Sequence, residues 1–94
     1  MAKRVIYTDK AFDHIDRIIE FNNLRNKSTT YSRKFLIDLR KRLQELLTQP
    51  FSGRATNDPD ILLLIWDNFY IFYIPNDNTI EVTSIYHQKE NIDP

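Results

Sequence analysis

The stretch ILLLIWDNFYIFYI, Ile61 to Ile74, decides the fold of this 94-residue chain. Ile61 to Trp66 is continuously apolar, bounded by Asp60 and Asp67, and too short for a buried helix, so it reads as a buried central strand. Asp67-Asn68 forms a two-residue turn. Phe69 to Ile74 is then a second strand, whose aromatic and β-branched composition suits a pleated sheet with both faces covered. Pro75 to Asn78 turns the chain again. Thr79 to Tyr86 sets Ile80, Val82 and Ser84 against Glu81 and Thr83, the pattern of a half-buried strand closing an antiparallel meander.

Working back towards the amino terminus, the apolar period changes from two to between three and four. Ala11, Phe12, Ile15, Ile18 and Ile19 give one stripe on a helix from Lys10 to about Phe21, leaving Asp13, His14, Asp16 and Arg17 for water. Thr8 and Asp9 supply its cap and acidic first turn, and Lys3 to Thr8 before them reads as a first strand. Asn22 to Thr30 is polar, with Ser28, Thr29 and Thr30 as candidate caps for a second helix. That helix runs from Tyr31 to about Thr48 on the stripe Tyr31, Phe35, Leu39, Leu43 and Leu46, with Leu36 and Leu47 beside it, and Gln49-Pro50 ends it. The loop that follows holds the single glycine, Gly53. The order β-α-α-β-β-β describes one α+β domain over residues 1–94, a helical hairpin packed on a small antiparallel sheet.

Composition limits the chemistry. There is no cysteine, which removes disulfides, thiolate metal sites and a thiol nucleophile, and permits a reducing compartment. Six Phe, five Tyr and one Trp supply the bulk that so short a chain needs for a core. The amino terminus carries no apolar run of the signal-peptide kind, and no stretch is long enough to span a membrane, so a soluble, cytoplasmic protein without a membrane partner is expected. Thirteen basic side chains balance thirteen acidic ones, yet residues 1–49 hold eleven basic against six acidic (net +5) and residues 50–94 hold two against seven (net −5). The basic half is either ordinary helix solvation or a helical face for RNA, DNA or an acidic partner segment.

No Gly-rich phosphate loop and no paired-His metal motif occurs, so neither a cofactor nor a metal is expected. The polar cluster at the end of the last strand, Tyr86, His87, Gln88, Lys89 and Glu90, and Arg54 after the glycine are the candidates for function. His87 can serve as general acid or base on a phosphodiester, with Lys89 or Arg54 neutralising developing charge. Tyr86 either caps the core edge or meets a base, and Arg54 either pairs with Asp58 or Asp60 or anchors a phosphate or carboxylate. Trp66 and Tyr70 lie within strands, where packing is their ordinary role.

Together the first strand, the helix ending DRIIEF, the helix with LIDLRKRLQELL, the turn Pro50-Phe51-Ser52-Gly53-Arg54, the strand NFYIFYI and the closing IEVTSIYHQKENI resemble the RelE/ParE superfamily of toxins from type II toxin–antitoxin systems, the plasmid-stabilisation proteins. The resemblance implies a helical hairpin on a small sheet, growth inhibition, and silencing by a cognate antitoxin whose carboxy-terminal segment lies across the hairpin and sheet. It also implies one of two targets. ParE-like members poison DNA gyrase, and RelE-like members are endoribonucleases that cut messenger RNA on the ribosome without metal. Asn68 to Tyr73 is closer to the ParE side, since many RelE-like nucleases carry an arginine about where Tyr70 stands. Tyr86-His87 is similar to the strand-end pair of some of the nucleases, for which His87, Tyr86, Lys89 and Arg54 would be the catalytic set. A member that keeps the fold without toxicity is the remaining alternative.

Overall fold

The computed structural model describes residues 4–26 and 29–88. Strand β1 (Arg4–Tyr7) leads into helices α1 (Asp9–Asn26) and α2 (Thr30–Glu45), followed by β2 (Arg54–Ala55), β3 (Leu62–Trp66), β4 (Phe69–Pro75) and β5 (Thr79–His87). The strands form one sheet in the order β1-β5-β4-β3-β2. Its pairs are antiparallel except β1 with β5, which run parallel because the helical hairpin carries the chain across before it re-enters the sheet. The expected order therefore gains one element. The loop after α2 contains the two-residue β2, in which Arg54 and Ala55 pair with Leu63 and Leu62. Helix α1 also continues five residues past Phe21, through part of the expected connector.

Residues paired across an antiparallel ladder share a face, which sorts the sheet. Trp66, Phe69, Ile71, Tyr73, Val82 and Ile85 face the helices, and all but the half-buried Trp66 are buried there with Phe35, Leu39, Leu43 and Leu46 of α2 and Ala11, Ile15 and Ile18 of α1. Phe35 meets both Trp66 and Phe69, with ring centroids 6.0 and 5.0 Å away. Leu63, Ile65, Tyr70, Phe72 and Tyr86 lie on the other face, where no second layer covers them among the described residues. This corrects the reading of a sheet covered on both sides. Only Leu64 of β3 is fully buried, and β4 alternates buried and half-buried, because one hairpin covers one face.

Phe12, Tyr31, Ser32 and His14 depart from the expected stripes. Phe12 is 51% exposed and packs on Tyr7 at the edge, and Tyr31 is 62% exposed, its neighbour Ser32 being buried instead. The Ser32 hydroxyl donates to Oδ1 of Asn23 at 2.7 Å, tying α2 to the last part of α1. His14, expected in water, is only 8% exposed. The reason lies in the sheet edge. β1 covers β5 only as far as Val82, after which Thr8 continues the edge by donating its N–H to the Val82 carbonyl and its hydroxyl to the Thr83 carbonyl. One turn and a half further on, His14 Nδ1 accepts the N–H of Ile85 at 3.2 Å, so the imidazole replaces a missing strand and carries its proton on Nε2. Thr8 also caps α1 as expected, accepting the Ala11 N–H at 3.1 Å. Of the three candidate caps for α2, Thr29 holds the cap position but its side chain makes no capping bond, Thr30 is the first helical residue, and Ser28 lies outside the described residues.

The loop after α2 is fixed from beneath. Tyr73, with no exposed surface, donates its hydroxyl to the Pro50 carbonyl and accepts the Gly53 N–H, both at 2.9 Å. A Cβ at residue 53 would lie 2.6 Å from that hydroxyl and 3.0 Å from the Leu63 carbonyl, so this position has room for glycine alone. Burial raises the Tyr73 pKa above its ordinary 10.0, against opposing contributions from the Gly53 N–H, Ser52 and Arg42, and burial raises Tyr7 likewise.

These contacts set three expected outcomes. Tyr73→Phe leaves two backbone groups unpaired and is expected to cost about 1–3 kcal/mol in urea unfolding, with Gly53→Ala at least as costly; an unchanged midpoint contradicts the assigned bonds. Because the folded state holds both tyrosine protons more tightly than the unfolded chain, stability is full below the ordinary tyrosine range and falls as pH rises through it. Urea midpoints measured from neutrality to beyond pH ~10 should show that decline, and Tyr73→Phe should reduce its slope. His14→Phe orphans the Ile85 N–H at about 1–3 kcal/mol, and hydrogen exchange at that amide, the direct readout, should accelerate.

Candidate functional site

A cleft of about 450 Å³ opens where the end of α1, the start of α2 and the β3–β4 turn converge. Phe21 and Arg25 line it from α1, Tyr31 and Lys34 from α2, and Trp66 and His87 from the sheet. Each arrives for a local reason. Asp67, at φ 52°, makes the tight turn that places Trp66 beside Phe69, their rings 5.7 Å apart, and His87 follows in register opposite Phe69, edge-on at 5.2 Å. Phe21 and Tyr31 flank the hairpin connection and are more than half exposed, so the mouth of the cleft is aromatic. Arg25 and Lys34 add positive charge, and Asp38 and Asp67 add negative charge.

The residues proposed from sequence do not gather here. Tyr86 and His87 are adjacent on β5 and therefore point to opposite faces, His87 into the cleft and Tyr86 to the open face. There Tyr86 stands directly across from Tyr70, its ring 6.0 Å from Phe72 on one side and 4.8 Å from His14 on the other. Arg54 shares the open face, in the row Arg54, Leu63, Phe72, Ser84. Three strand spacings, about 14 Å, separate its backbone from β5. Among the described residues Arg54 makes no ion pair with Asp58 or Asp60; Asp58 instead accepts the Asp60 N–H at 2.9 Å. Lys89 lies outside the described residues.

The cleft residues Phe21, Arg25, Tyr31 and Lys34 were not among the sequence candidates. The available signal was large aromatics next to a helix connection, and it was obscured because α1 was expected to stop at Phe21. Among the described residues no group of three or more His, Asp or Glu side chains is placed to hold a metal ion. No helix among them is long and apolar enough to cross a membrane.

The fold has relatives. Comparison with curated proteins finds no match. Among solved structures, a chain described as the chromosomal ParDE TA system from P. aeruginosa matches with a TM-score of 0.73 and 18% identity, covering 93% of this chain and 96% of that one. At that identity the likeness concerns the fold, two helices on one sheet. The family model for the ParE toxin of the type II toxin–antitoxin system, parDE, matches residues 5–92, from the first strand through the strand-end cluster. The chain belongs to the ParE toxin family of type II toxin–antitoxin systems.

Proposed function

We propose that this toxin stops growth by binding DNA gyrase, and that a cognate antitoxin silences it with a carboxy-terminal segment laid across the hairpin and sheet. The observation that supports binding over chemistry is the dispersal of the candidate catalytic groups. Metal-free cleavage of a phosphodiester needs a base, an acid and a cation around one phosphate. Here Arg54 and Tyr86 are three strands apart on the open face, and His87 projects to the other side. The open face is also apolar at its centre. Tyr70 pairs with Tyr86 and is flanked by Ile65 and Phe72, a surface that gains free energy by desolvation against protein and offers a phosphate no charge.

A second reading has one observation in its favour. His87 shares the cleft with Arg25, Lys34 and the exposed rings of Phe21 and Tyr31, so a ribonuclease site built there would have a titratable group, cations and stacking surfaces. The two readings separate on one substitution. After induction in bacteria, wild-type protein and His87→Ala should arrest growth to a similar extent, without new messenger RNA 5′ ends inside translated codons. Codon-phased ends that vanish in His87→Ala, together with its toxicity, would establish the nuclease instead.

A further inference from the structure

On the outward side of α2, Ile37 is 56% exposed, and the four positions that neighbour it on a helix surface are Arg33, Lys34, Arg40 and Lys41, all exposed. Leu36, 40% exposed, widens the apolar centre. Solvation of a surface helix does not require this arrangement. The exposed side of α1 mixes signs, with Asp13, Asp16, Arg17 and Glu20 at spacings where opposite charges support each other. On α2 the one ion pair formed among the described residues, Arg42 to Glu45 at 2.7 Å, lies off the patch. None of the four cations around Ile37 is in an ion pair among the described residues. Ile37 belongs neither to the buried core nor to the half-buried residues packed against it, and the like charges repel.

We propose that this face of α2 docks an acidic helical segment of a partner protein, with an aliphatic side chain of that segment on Ile37 and carboxylates on the two cation pairs. The spacing fits such an occupant. The pairs lie seven residues apart, about 10 Å along the axis, which matches carboxylates two turns apart on a facing helix. An apolar anchor ringed by charge is the anatomy of a protein contact, with the centre supplying affinity and the rim supplying orientation. A nucleic acid would engage the cations and leave Ile37 and Leu36 unused, and the net −5 of residues 50–94 would oppose a polyanion. The surface shares Lys34 with the rim of the cleft, while Arg33, Ile37, Arg40 and Lys41 lie outside the cleft lining and the open sheet face, so it does not depend on gyrase being the target.

The test uses the full chain and a labelled, end-capped peptide of about 20 residues, long enough to hold a helix, with Leu at every third or fourth position and Glu on both flanks. Anisotropy should report saturable binding, weakened about tenfold or more by Ile37→Ser and lost in Arg40→Glu/Lys41→Glu. A peptide with Lys in place of Glu should bind the quadruple Glu variant of Arg33, Lys34, Arg40 and Lys41 and ignore the wild type. All these positions are exposed, and circular dichroism of each variant should match the wild type. Three results would overturn the proposal: no peptide binding at about 1 mM, binding indifferent to Ile37→Ser, or a DNA duplex of about 20 base pairs binding more tightly than the peptide. Self-association of the chain that Ile37→Ser abolishes would likewise overturn it, in favour of a second copy as occupant.

Discussion

The hydroxyl of Tyr73 is the interaction on which the two halves of the molecule depend. It belongs to a β4 residue with no solvent exposure, and it reaches through the core to bind Pro50 and Gly53, in the loop between the end of α2 at Glu45 and the return to the sheet at β2. A buried hydroxyl without partners would cost several kcal/mol, on the order of 2–7 by transfer scales, so the loop cannot lift away without exposing that cost. The loop carries β2 and Arg54 with it. A glycine at residue 53 is thus a packing requirement, set by how closely the backbone passes over the Tyr73 ring, and not a conformational one, since its φ is ordinary.

A similar economy operates at the other end of the sheet. Four residues of β1 cannot cover nine of β5, and Thr8, which caps α1, and His14 within α1 continue the edge. This explains why the first helix lies beside β5, and it places His14 against Tyr86. A histidine that titration logic would nominate for chemistry is engaged as a hydrogen-bond acceptor in the edge of the sheet. The histidine left at a cleft, His87, ends the same strand on the opposite face.

How much of this was legible in the sequence follows from which forces are local. The stripe Ile15, Ile18, Phe35, Leu39, Leu43, Leu46 and the strands through Trp66, Ile71 and Val82 emerge from periodicity alone, because burial on one face imposes it. Residues at the ends of stripes were misread. Phe12 and Tyr31 continue the period but overhang the sheet, and His14 and Ser32 interrupt it yet are buried, each through a hydrogen bond to a distant or cross-helix partner. Periodicity carries no information on such bonds. Nor does it tell a strand covered on both faces from one with an apolar free face, which is why Ile65, Tyr70 and Phe72 were read as core. The candidate site suffered most. Tyr86 and His87 are adjacent in sequence and Arg54 joined them only as a candidate partner, and strand alternation and sheet order then distribute the three over two faces and three strand spacings.

The central claim is that this ParE-family toxin acts as an inhibitory binder. Purified protein added to DNA gyrase relaxing and supercoiling a plasmid tests it most directly. Supercoiling should fall with increasing toxin, His87→Ala should inhibit as well as wild type, and translated messenger RNA should stay intact in the same preparation. Undiminished supercoiling at a large excess of toxin, with messenger RNA cut on translating ribosomes, would contradict it.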